Sequence, residues 1–169
     1  MPTLFELVKS KRSVREFADK RIPETVVRQI LDAGRLAGSA KNMQPWQFVA
    51  IERRETLAAL SQCGTFAGHL AGAGLGVALV TGDLFLRLTV PFDLGRAAQN
   101  MMLTAWAEGI GSEMATIYQP DRAREILGVP DGYLIPWCIS FGYPAKPEQP
   151  PARKGGRRSA EDVFHFETW

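Results

Sequence analysis

The chain is poor in the residues that build metal and redox-thiol centres, with 2 cysteines and 2 histidines among 169 residues. Cys63 and Cys138 do not form a Cys-x-x-Cys pair. Neither His69 nor His165 has metal-ligand spacing to another histidine, cysteine or carboxylate, so no zinc site or dithiol is expected. Cys138 lies in an apolar run and reads as a buried free thiol. Long hydrophobic runs are also missing. The longest, residues 70–80, is glycine-rich and far short of the roughly 20 residues a membrane-spanning helix needs. Glu6 and Lys9 interrupt the start of the chain, so no signal peptide is read there and the cytoplasm is the expected location. Neither sign of charge dominates: 20 Lys and Arg face 18 Asp and Glu, for a net charge of +2, too little for a nucleic-acid footprint. Neither Ser13 nor Ser39 sits in a nucleophile elbow, and no Ser-His-Asp arrangement is suggested.

What remains is an ordinary globular composition, 46% hydrophobic and 22% charged. It suits a single domain over 1–169 that hides roughly two-thirds of its unfolded surface. Thr3 and Glu6 form a capping box, and Leu4, Leu7 and Val8 give a short first helix one apolar face. Pro23 opens a second helix with Val27, Ile30, Leu31 and Gly34 on its inner side. Strands are expected over 47–52, 77–81, 112–118 and 134–141, with short helices over 55–62 and 120–127. Asp93 reads as the N-cap of a helix over 94–108 closed by Gly109. That helix is apolar or small on both faces, as a helix buried against the sheet and against a second subunit would be. Residues 142–158 turn to Pro, Gly, Lys and Arg and read as an extended arm. Phe164, Phe166 and Trp169 then suggest a tail that docks on something. The fold class is α+β (mixed α/β), with helices flanking a central mixed, mainly antiparallel sheet.

Two segments carry chemistry. Lys11, Arg12, Ser13 and Arg15 place three cations and a hydroxyl within five positions. Arginine forks and a serine hydroxyl suit a phosphate, although a basic pentamer alone is more commonly a solvated turn. Asn42 and Gln44, ahead of Pro45-Trp46, offer amides that both donate and accept, as the edge of a heterocycle requires; alone, they read as a turn before a strand. The run Gly72-Ala73-Gly74-Leu75-Gly76 is only loosely like a dinucleotide loop. Its glycines precede the strand instead of following it, so a tightly packed turn is the better reading.

Taken together, these segments resemble the nitroreductase-like FMN flavoproteins. "KRSVREF" is similar to the family's phosphate-binding opening, and "SAKNMQPWQFVAI" to its Ser-Ser-x-Asn-x-Gln-Pro-Trp-x-Phe signature. "DLGRAAQNMMLTAWAEGIGS" resembles the central helix and the glycine turn after it. "ISFGYPAKP" with "RRSAEDVFHFE" resembles the last strand and the tail.

The resemblance implies a homodimer with FMN in interface sites, and a C-terminal arm, 142–169, exchanged onto the partner. It implies that Lys11, Arg12, Ser13 and Arg15 hold the phosphate, ribityl and pyrimidine end. Ser39, Ala40 and Asn42 approach from the partner subunit, and Gln44 joins the cofactor-binding residues. Ala115, Thr116 and Ile117 lie near the reactive N5 edge, and Arg157 with Lys154 completes the phosphate site. No side chain needs to act as a catalyst, since the flavin carries the chemistry; Arg15 would give electrostatic support. The implied activity is ping-pong hydride transfer from NADH or NADPH to a nitroaromatic, a quinone or a similar small acceptor. The sequence departs from the family pattern at Lys11, where Arg is usual; at Ala40, where Ser is usual; and at Thr116, where some members carry Glu. The segment 83–92 is short, which implies a small lid. Two alternatives stay open. One is a specialised flavin enzyme of the same fold (ene-reductase, reductive dehalogenase or flavin-consuming enzyme). The other is a non-enzymatic anion-binding dimer.

Overall fold

The computed structural model describes residues 2–146 and 156–169. Helix α1, Leu4–Ser10, starts on the expected capping box: the Thr3 side chain accepts from the Glu6 N–H while the Glu6 carboxylate accepts from the Thr3 N–H. Helix α2 spans Glu24–Arg35 and buries Val27, Ile30 and Gly34 of the expected stripe, with Leu31 partly buried beside them. Strand β1, Gln47–Ile51, leads into α3, Arg54–Ser61. A 3-10 turn, Gly68–Gly72, precedes β2, Leu75–Thr81, in which every residue is buried. Helix α4 spans Thr89–Ala107, β3 Gly111–Thr116, α5 Pro120–Leu127 and β4 Leu134–Gly142. Proline opens α5 and Gly128 closes it in the left-handed conformation, the arrangement each residue's backbone favours.

Asp93 is not an N-cap. Helix α4 begins four residues earlier, at Thr89, because Pro91 falls in the first turn, where its missing N–H breaks no hydrogen bond. Asp93 is therefore an interior, buried residue of the helix.

The strands lie in the order β1-β2-β4-β3, and every neighbouring pair is antiparallel. The parallel contribution is the isolated bridge between Ser13 and Ser112. Alternation along β2 divides the interior. Leu75, Val77 and Leu79 join Ile139, Phe141 and the inner residues of α2 and α4. Ala78 and Val80 face Cys138, Ala115 and the inner residues of α3. Gly76 is tightly packed: a Cβ there would stand 2.6 Å from Leu57 of α3. The glycine-rich run is thus the packed entry to a strand, with the Gly74 N–H bonded to the Phe141 carbonyl at 2.9 Å.

Several apolar side chains find no cover in the single chain. Helix α1 has no buried residue, and Leu4, Phe5 and Val8 are exposed. Leu88, Phe92, Phe164, Phe166 and Trp169 are exposed as well. Residues 156–169 form turns and bends without helix or strand.

Candidate functional site

The cationic segment is clamped along the start of β3. The Lys11 N–H closes α1 on the Leu7 carbonyl. Arg12 turns one guanidinium nitrogen back onto the carbonyls of Lys9 and Lys11, at 2.8 and 2.9 Å, a cation at the negative end of a helix. Ser13 bridges to Ser112, and the Val14 N–H donates to the Ser112 carbonyl at 3.1 Å. Gly111 permits this approach, since a Cβ there would stand 2.6 Å from the Val14 side chain. The Ser112 hydroxyl is buried without a hydrogen-bond partner. Arg15 extends to Glu113, with Nη2 and Oε2 3.1 Å apart.

The second segment is a strained turn. Lys41, Asn42 and Gln44 adopt φ of 52°, 54° and 48°, the left-handed region that side chains other than glycine's disfavour. Such strain persists only where neighbours hold it and gathers at functional sites. Here the Ser39 hydroxyl accepts from the Gln44 N–H at 2.9 Å, and the buried Asp93 carboxylate accepts from the Ala40 N–H at 2.9 Å. Ala40 therefore has no N–H left for a ligand. The Gln44 amide donates to the Asn42 side-chain oxygen at 3.2 Å, which leaves the Asn42 amide nitrogen as a donor. Gln44 also lines an open groove between α2 and β1 with Arg28, Arg35, Trp46 and Phe48. Trp46 is buried and stacked on Phe48, anchoring the turn to β1.

Within one chain these segments are anchored to different ends of α4. The strained turn is tied to Asp93, near the beginning of α4. The N-terminal helix is tied to the last turn of α4 by the Trp106 indole N–H, which donates to the Ser10 hydroxyl at 3.0 Å. Asp93 and Trp106 lie roughly 20 Å apart along the helix at ~1.5 Å per residue.

The third group divides by side chain. Ala115 and Ile117 are buried in the core on the α3 side of the sheet, whereas Thr116 is exposed. Met114, on the same face as Thr116 and half-exposed, was not singled out from the sequence. Arg157 lies in the exposed tail, and Lys154 falls outside the described residues.

Sequence reasoning also missed a buried polar cluster behind Arg15. His69 Nδ1 and the Ser140 hydroxyl are 2.7 Å apart, and that hydroxyl donates to the Glu113 backbone carbonyl at 3.2 Å. His69 Nε2 is buried without a partner. Burial holds the His69 imidazole below its usual pKa; the Glu113 carboxylate pulls it up and the Arg15 guanidinium adds to the depression. The one available signal was an acidic residue in an otherwise neutral strand. Both cysteines are free and buried, and burial pushes the Cys138 thiol up to about 12. Among the described residues, no group of His, Cys, Asp and Glu is placed to hold a metal ion, and no helix is long and apolar enough to cross a membrane.

A model of the Nitroreductase family matches residues 8–64 and 70–143. The chain belongs to the nitroreductase family. Curated relatives agree in extent as well as in sequence. A Methanothermobacter thermautotrophicus protein named as a candidate NADH dehydrogenase/NAD(P)H nitroreductase is 30% identical, over 98% of this chain and 87% of its own. An Archaeoglobus fulgidus protein of the same name is 29% identical, with both chains covered in full. Among solved structures, an FMN-dependent nitroreductase from Clostridium difficile R20291 superposes with a TM-score of 0.83 at 26% identity, covering 98% of this chain and 99% of its own. As a nitroreductase family member the chain is an oxidoreductase, and its sheet and helices are those of the nitroreductase fold.

Proposed function

We propose that two copies of this chain enclose two FMN molecules and act as an NAD(P)H-dependent oxidoreductase. The hydride donor is NADH or NADPH, and the acceptor is a nitroaromatic, a quinone or a similar small molecule. One observation carries this reading: the strained amide turn and the helix leading to the cationic segment are tied to opposite ends of α4, at Asp93 and Trp106, roughly 20 Å apart along the helix. A twofold axis beside α4 brings the cations of one chain to the amide turn of the other. The uncovered residues of α1, α4 and the tail supply the apolar surface for that contact.

The donor set fits FMN. Lys11, Ser13 and the remaining N–H groups of Arg12 suit a phosphate, joined by Arg157 and by Lys154. The unpartnered Ser112 hydroxyl, buried beside the Ser13 bridge, is a polar atom that a ribityl chain would satisfy. When bound, FMN supplies two-electron chemistry by accepting and releasing hydride. Arg15 would hold the pyrimidine end and place positive charge beside it. Asn42 and Gln44 of the partner subunit offer amides to the ring edge, and Asp93 holds Ala40 so that this turn keeps its shape. Thr116, exposed on β3, would offer a hydroxyl to the ring edge, while Ala115 and Ile117 back the strand from the core. The short 83–92 segment leaves one face open, so donor and acceptor occupy the same place in turn. The C-terminal tail wraps the partner through Phe164, Phe166 and Trp169.

The purified protein is expected to be yellow, dimeric in sedimentation, and to release FMN on acid or heat treatment. Double-reciprocal plots against NAD(P)H and a quinone should be parallel. A colourless protein that takes up no added FMN overturns the reading, and intersecting lines overturn the shared pocket.

A further inference from the structure

Glu113 occupies a place where a carboxylate is costly. It lies on β3 opposite Ser140, and its neighbours on that face of the sheet, Ala115 and Cys138, belong to the apolar core. Its side chain is 14% exposed. Charge in such a position is disfavoured unless it is compensated. The compensating charge comes from Arg15, 3.1 Å away and 65% exposed, while Oε1 accepts from the Met114 N–H at 3.3 Å. The contact lacks hydrogen-bond geometry, and Glu113 Oε2 has no hydrogen-bond partner, so the pairing is electrostatic and leaves the guanidinium edges available. A further titratable group beside this pair is His69, from the Gly68–Gly72 turn. Burial disfavours its charged form, so it does not replace Arg15 as counter-charge.

We infer that Glu113 is a positioning residue that sets the reduction potential of the bound flavin through Arg15. This rests on the FMN reading above. Two electrons and one proton convert oxidised FMN to its reduced anion, and a cation at the pyrimidine end favours that product. Glu113 draws the Arg15 guanidinium back from this end and offsets part of its charge. The reduced anion is therefore stabilised less than a bare arginine would allow, and the site gives up electrons more readily to weak acceptors.

The test is equilibrium reduction by dithionite beside a dye of known potential, with protein in excess over FMN. Glu113→Gln keeps the side chain's shape and removes its charge. The preference for reduced over oxidised FMN should rise roughly tenfold, moving the midpoint about 30 mV more positive for a two-electron couple. Arg15→Gln should move it negative, and adding Glu113→Gln to Arg15→Gln should produce a clearly smaller positive shift, that of the removed carboxylate charge alone. Glu113→Asp, which withdraws the charge by one methylene, should give a smaller positive shift and guards against a folding defect in the glutamine variant. An unchanged midpoint in Glu113→Gln overturns the inference, as does an equal shift with and without Arg15. A wild-type protein that binds no FMN removes the FMN reading itself, a failure visible before any variant is made.

Discussion

Replacing Asp93 by alanine tests how the strained turn is held. The Asp93 side chain is 3% exposed, accepts from the Ala40 N–H at 2.9 Å and lies 3.6 Å from Arg96. A hydrogen bond to a charged group contributes about 1.5–3 kcal/mol, and its loss leaves a partly buried N–H unsatisfied. The ion pair adds little, because Arg96 is half-exposed and such pairs contribute at most about 1 kcal/mol. Alanine returns roughly 0.5 kcal/mol of helix propensity. The net loss is about 1.5–3 kcal/mol, which at ~2–4 °C per kcal/mol for a chain of this size lowers Tm by about 3–12 °C. Asp93→Asn keeps an acceptor and should lose about half as much. Thermal unfolding followed by circular dichroism measures both. FMN affinity should fall several-fold in Asp93→Ala, because Ser39 and Asn42 lose their fixed placement. A Tm within a degree of wild type, or an asparagine variant as unstable as the alanine one, refutes the argument.

Arg15→Ala should weaken FMN binding by about 1.5–3 kcal/mol, roughly 10- to 100-fold, read from fluorescence quenching on titration. Gly64→Ala should destabilise the fold by about 1–3 kcal/mol in urea, because its new methyl would collide with the Thr116 carbonyl oxygen, a backbone atom that cannot turn aside. Stability should fall as pH drops below 6.5: the unfolded His69 takes up a proton there while the buried one, with its lowered pKa, does not. Its contribution is complete above 6.5, and His69→Gln should flatten the urea midpoint between pH 7 and 5.5. Phe5→Glu, on a side chain already exposed in the single chain, should leave the secondary structure intact and shift sedimentation from dimer to monomer.

Local signals were the readable ones. The Thr3–Glu6 box and the Pro120 and Gly128 boundaries of α5 follow from backbone preferences that need no distant partner. The start of α4 was misplaced because Asp93 is a good N-cap residue in isolation; its carboxylate is instead engaged by Ala40, 53 positions away. Strand order belongs to the same class of non-local fact, since β4 inserts between β2 and β3. The site motifs were legible as residue types, but not their commitments. Nothing in the local sequence announces that Arg12 bonds the carbonyls of Lys9 and Lys11, or that Lys41 sits at positive φ beside Asn42. Glu113 was overlooked because its meaning depends on Arg15 and His69, which only folding brings to it.

The two ends of α4 impose a rule on occupancy. If neither subunit alone can grip a coenzyme, then retaining it and pairing are one equilibrium. Dilution that splits the pair empties both sites, and added FMN tightens self-association. The apparent affinity for FMN then rises with protein concentration, so a figure measured at a single dilution describes the assembly reaction as much as the cavity.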